Sequence, residues 1–232
     1  MIARGVVLVL CLFAAVDVIH AQTPQPRPPA PTGPTPRGGS WEIGGGYAFV
    51  AGYDFDTSNA DLTRNTASGT DRFTLFITDS SVQAAHAVSG QLGYYFSPRW
   101  AVEGGIRFAR PVFRTELSDD AEGAPDTVAE ETLDQYLFSA SVVYHFAGAG
   151  RPLVPFVAGG GGYLRELHES QELVETGAEY HASVGIKNWF GTARRRFGVR
   201  AEGGFSFRDG GFDFDEKVRV VPTFGVSLVY LF

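Results

Sequence analysis

The 232-residue sequence carries 19 basic and 26 acidic residues, a net charge of −7, and a mean hydropathy of −0.03. The acidic balance argues against a nucleic-acid partner. Hydropathy is near neutral and no segment after the N-terminal leader reads as a helical membrane span, while 29 Gly, 19 Phe and 9 Tyr suit a chain whose apolar and polar residues alternate and cancel in any window.

Residues 1–21 read as a secretory signal peptide. Arg4 supplies the positive charge, and the apolar run Val6–Val16 is about half of the ~20 residues a spanning helix needs. Cys11, the sole cysteine, falls within it, so the mature chain is expected to hold no disulfide and no Cys-based metal or redox site. Residues 22–39, with seven prolines, form a Pro-rich periplasmic linker expected to be extended polyproline II.

From residue 40 the sequence predicts one all-β domain, 40–232. Its eight strands are expected at 41–53, 84–96, 100–113, 135–146, 153–165, 179–189, 197–207 and 218–232. Each alternates with a period of two: Trp41, Ile43, Tyr47 and Phe49 share one face of the first, and Val220, Pro222, Phe224, Val226, Leu228, Tyr230 and Phe232 share one face of the last. Short turns follow the second, fourth and sixth strands. The long connections 54–83, 114–134, 166–178 and 208–217 are expected to be outer loops. All acidic residues except Asp17, Glu42, Glu103 and Glu202 fall in or beside these loops, whereas the short turns carry Arg99, Arg151, Arg194, Arg195 and Arg196. One rim is therefore acidic and the other basic.

If the aromatic face meets lipid, the opposite face lines a lumen. Its charged residues are Glu42, Glu103 and Glu202 against Arg107, Lys187 and Arg200, a balance that predicts mutual pairing, because unpaired buried charge is costly. Eight strands enclose an interior that side chains largely fill. A filled, salt-bridged barrel is the expectation, with a narrow pore or carrier for small solutes as the alternative. His86 and His168 have no second ligand at metal spacing and read as surface residues; no metal or cofactor is expected.

The signal peptide, the amphipathic strands, Thr223-Phe224-Gly225 and the terminal Tyr230-Leu231-Phe232 resemble small bacterial outer-membrane barrels of the OmpA/OmpX type over residues 41–232. The resemblance implies an eight-stranded antiparallel up-and-down transmembrane β-barrel, monomeric and in the outer membrane among lipid and lipopolysaccharide. It also implies that Thr223, Gly225, Tyr230 and Phe232 belong to a signal read by the barrel-assembly machinery. The peptidoglycan-binding domain of some relatives is expected to be absent. Some such barrels are lipid A deacylases with a His-x-Ser pair followed about fourteen residues later by Glu. His181-Ala182-Ser183 supplies the pair, but Arg195 stands at the acid position, and Glu202 is an unproven substitute. No catalytic residue is assigned, and the expected role is structural or surface-facing, with any surface ligand unspecified.

Overall fold

The computed structural model describes residues 36–67, 69–146, 152–168, 174–190, 197–210 and 217–232. The expected signal peptide, most of the Pro-rich segment and the turns at 147–151 and 191–196 lie outside these residues. Among the described residues every regular element is a strand, and no helix is long and apolar enough to cross a membrane.

Twelve strands form in chain order: β1 Trp41–Val50, β2 Tyr53–Asp54, β3 Ser58–Thr66, β4 Gly69–Val82, β5 Ala85–Tyr95, β6 Trp100–Ala109, β7 Val112–Ser118, β8 Thr127–His145, β9 Leu153–His168, β10 Val174–Phe190, β11 Phe197–Gly210 and β12 Arg219–Leu231. Eight of them close an antiparallel ring, β1-β5-β6-β8-β9-β10-β11-β12 and back to β1. The seam is in register from Glu42 opposite Leu231 to Val50 opposite Thr223. Reciprocal 2.8 Å bonds between the backbones of Trp41 and Phe232 finish it. At the same end Ser97 Oγ accepts from the amides of Arg99 and Trp100 at 3.3 and 3.0 Å and tightens the turn between β5 and β6.

The period-two faces sort as the sequence dictates. Ile43, Val88, Leu92, Phe138, Val184, Phe224 and Leu228 are exposed on the outside, while Ala101, Val143, Phe156, Val229 and Leu231 are buried inside. Water tolerates no continuous apolar belt of this size, whereas hydrocarbon does. Aromatic residues edge the belt at both ends, with Trp41, Trp100, Tyr230 and Phe232 near the closing turn and Tyr163, Tyr180 and Phe207 at the far side. A belt of this kind in a closed barrel belongs to the bacterial outer membrane.

The expected long loops at 54–83 and 114–134 are instead largely strand. A spanning strand needs about 9–11 residues, and β8 has 19 and β4 has 14. The excess builds a sheet beyond the outer girdle: β4 pairs with β2, β3 and β7, and β7 pairs with the first third of β8. Its residues explain this, because Thr70, Phe73, Thr74, Leu75, Phe76, Ile77 and Thr78 are strand formers. The hairpin turns at Gly69, whose φ of 136° a side chain would oppose. Pro111 breaks the chain between β6 and β7 by withholding an N–H. Its carbonyl still accepts from Leu133 at 2.9 Å, so the wall stays joined to the barrel. β9, β10 and β11 also run past their expected ends, to His168, from Val174 and to Gly210.

Inward glycines let the walls approach. A Cβ on Gly160 would strike the carbonyl oxygen of Ala140 on the neighbouring strand. Gly160→Val is expected to destabilise the barrel by ~1–3 kcal/mol through overpacking. The check is heat-dependent mobility on SDS gels: the parent stays folded until heated, and the variant unfolds at lower temperature.

Candidate functional site

Two tiers of charge fill the barrel. The tier nearer the chain-terminal end centres on Lys187, which has no exposed surface. Its Nζ donates to Glu42 Oε1 at 2.8 Å, Glu103 Oε1 at 3.2 Å and the Tyr95 hydroxyl at 3.1 Å. Tyr95 in turn donates to Glu42 Oε2 at 2.6 Å. Arg200 bridges Glu103 at 2.6 Å and Glu202 at 2.8 Å. Below them Tyr95, Val143, Phe156, Trp189 and Leu231 form an apolar floor. The Phe156 ring lies 5.5 Å from Lys187 Nζ and 4.5 Å from the Arg200 guanidinium, and such faces attract cations.

The second tier lies toward the outer end. Glu179 accepts from Arg107 Nη2 at 3.0 and 3.1 Å, from Ser206 Oγ at 2.8 Å and from Arg208 Nε at 3.2 Å. Arg208 also donates to Gln135 Oε1 at 3.1 Å, and Gln135 donates to Glu166 at 2.5 Å. Between the tiers lies a chamber of about 130 Å³ lined by Gln91, Ser139, Ser141, His181, Ser183 and Glu202, among others.

Glu42, Glu103, Lys187, Arg200 and Glu202 thus share one connected cluster, whereas Arg107 is joined to Glu179. The sequence reading set Glu179 at the first position of its strand, beside an outer loop, and did not count it, Arg208 or Tyr95 among the interior residues. Parity carried the signal: Glu179 has the phase of His181 and Lys187, and Arg208 has that of Arg200 and Glu202. The residues expected to form an assembly signal divide. Thr223 and Gly225 line the chamber, and Tyr230 and Phe232 face outward at the rim.

His181 and Ser183 both turn inward, but His181 Nε2 pairs with Ser141 Oγ, at 2.7 Å, instead of with Ser183. Among the described residues, no hydrogen-bond partner meets His181 Nδ1, where a triad acid would sit. Arg195 lies outside the described residues.

His168 corrects its reading as a surface residue: it is 7% exposed, above the outer girdle. Its Nδ1 and Nε2 each lie 3.1 Å from a carboxylate oxygen, of Glu131 on β8 and Glu175 on β10. The Phe113 ring packs edge-on, 6.5 Å away. His86, by contrast, is on the outer face beside Tyr47 and Phe49.

Burial by itself would lower the His168 pKa, but the hydrogen bonds and charges of Glu131 and Glu175 outweigh it and hold the value above the ordinary 6.5. The sign follows: the clasp stabilises fully below the unfolded value and is lost as pH rises through the raised folded one. Amide hydrogen exchange around Leu133 and His168 should therefore quicken as pH climbs past that point, beyond its intrinsic pH dependence, and His168→Gln should abolish the excess. In the deeper cluster, Lys187→Met strands Glu42, while Glu103 keeps Arg200, and is expected to cost about 3–5 kcal/mol, read as a lower urea midpoint for unfolding from lipid.

No protein-family model matches the chain, and no curated protein matches it. Among solved structures it is similar to the outer membrane protein OprG from Pseudomonas aeruginosa, at 14% identity and a TM-score of 0.52, over 85% of this chain and 98% of that one. It is also similar to Neisserial surface protein A, at 11% identity and 0.48 over 83% and 98%. Ail, the attachment invasion locus protein of Yersinia pestis, matches at 14% and 0.45 over 84% and 99%. The OprG match carries the likeness, which is one of fold. The closed ring of eight antiparallel strands, its lipid-facing belt and this likeness agree: the chain is a small bacterial outer-membrane β-barrel.

Proposed function

We propose that the barrel has a structural or surface-contact role, with a filled interior and no enzymatic activity. The observation that carries this reading is the pair of ion-pair tiers. Glu42, Glu103, Glu179 and Glu202 are matched by Arg107, Lys187, Arg200 and Arg208, and the lower tier rests on an apolar floor. Dismantling either tier to admit a solute would strand buried charge. The wall of β2, β3, β4, β7 and upper β8 stands beyond the girdle and supplies the surface for contact with a partner outside the cell. Insertion proceeds through the barrel-assembly machinery, with Tyr230 and Phe232 as the aromatic end of its signal.

The chamber between the tiers favours a second reading, a narrow pore whose middle is already open. Planar-bilayer recording separates the two. The filled barrel is expected to be silent, whereas steady conductance steps that scale with salt would establish the pore and overturn the first reading. For the third reading, a lipid A hydrolase, the unpartnered His181 Nδ1 speaks against a working triad. Lipid A from cells with and without the protein should give identical mass spectra, and a lost acyl chain would overturn the non-enzymatic reading.

A further inference from the structure

The lipid-facing belt is not uniformly convex. On β5, β6 and β8, Leu92 stands opposite Gly104 and Gly104 opposite Ala140, so a large residue is followed by two small ones along one row. A Cβ added to Gly104 would meet nothing within 4 Å. The result is a wide-open apolar groove of about 630 Å³, walled by Leu92 and Val102, floored by Gly104, Ala140 and the edge of Glu103, and lipped by Trp41 and Tyr94. The lip is a pair of rings 4.9 Å apart in the girdle at the chain-terminal end. Gly104 lies four residues from Trp100, ~13 Å along the strand at ~3.3 Å per residue. With short turns on the periplasmic side, this depth is that of the inner leaflet.

We propose that this groove is a seat for one acyl chain of an inner-leaflet phospholipid. The groove opens into the belt that hydrocarbon already covers, so a lipid tail reaches it without leaving its own phase. No cationic side chain lines it, so nothing there would hold the phosphates of lipopolysaccharide. A symmetric contact between two copies would set hollow against hollow and leave a void. The Tyr94 hydroxyl and the Trp41 indole, apolar rings with polar edges, suit the interface where the headgroup begins. The proposal rests on the outer-membrane reading and names a ligand for the barrel's outside.

The test is native mass spectrometry of the full chain reconstituted in vesicles of phosphatidylethanolamine and phosphatidylglycerol, then released into mild detergent. The parent is expected to retain about one phospholipid per barrel. Gly104→Leu with Ala140→Leu, which fills the groove, should lower the retained fraction about tenfold, equivalent to ~1.4 kcal/mol. Ala182→Leu, also lipid-facing but on β10, should leave it unchanged. A bare parent barrel, equal retention after filling, or dimers that filling abolishes would each overturn the proposal. A phosphatidylethanolamine with a photoactivatable tail gives a second measurement on the unaltered chain: labelling concentrated on β5 and β6 supports the seat, and even labelling around the barrel overturns it. The gel heat shift separates the failures. A heat-shifting barrel that keeps no lipid overturns the seat alone, and a chain without the shift overturns the membrane reading with it.

Discussion

Hydrocarbon offers no hydrogen-bond partner to a backbone amide, so a sheet that crosses it must leave no edge. The seam between β1 and β12 meets that requirement through nine register pairs, and the Trp41–Phe232 bonds carry the pairing to the rim. The other features follow from closure. Once the sheet is a ring, alternation has only two destinations, lipid and lumen, and each strand must place its apolar set on the same side as its neighbours. A slip of one residue in any strand would send its aromatic residues into the lumen and its charges into lipid.

Closure also decides what the lumen can hold. Eight strands leave little room, and the chain spends much of it on long side chains that reach across the axis. Lys187 on β10 meets Glu42 on β1 and Glu103 on β6, so one ammonium ties together strands on opposite walls. Arg107 on β6 and Arg208 on β11 meet on Glu179 of β10. The glycines on the inward faces of β9 and β11 make room for this crowding, and where they thin it out the chamber remains.

What was legible in the sequence follows from the same physics. A period of two survives in any window, so the eight spanning strands, their faces and six of the interior charges could be read before the fold was known. Strand ends could not. The polar residues around Ser80 and Glu116 look like loop, and only pairing between β4, β7 and β8, distant in sequence, turns them into sheet. That error left Arg208 and His168 in expected loops, just past where their strands were thought to stop, and left Glu179 at the first position of a strand that begins at Val174. Partner choice was equally hidden: the spacing shows that Arg107 faces inward but not that it lies nearer Glu179 than Glu103. The acyl-chain groove depends on which residue of β5 stands opposite Gly104, and that is a matter of register.

The sheet beyond the girdle gives the barrel a mechanical character that loops would not. β4 and β7 meet in-register backbone bonds along their shared length, and β5 and β6 resume directly below them. A pull applied at the Gly69 hairpin reaches the membrane as shear along several parallel bonds loaded together, the geometry in which strands resist longest. The extension is rooted in the rim through β5, β6 and β8, so a force on its tip enters the barrel by three adjacent strands together.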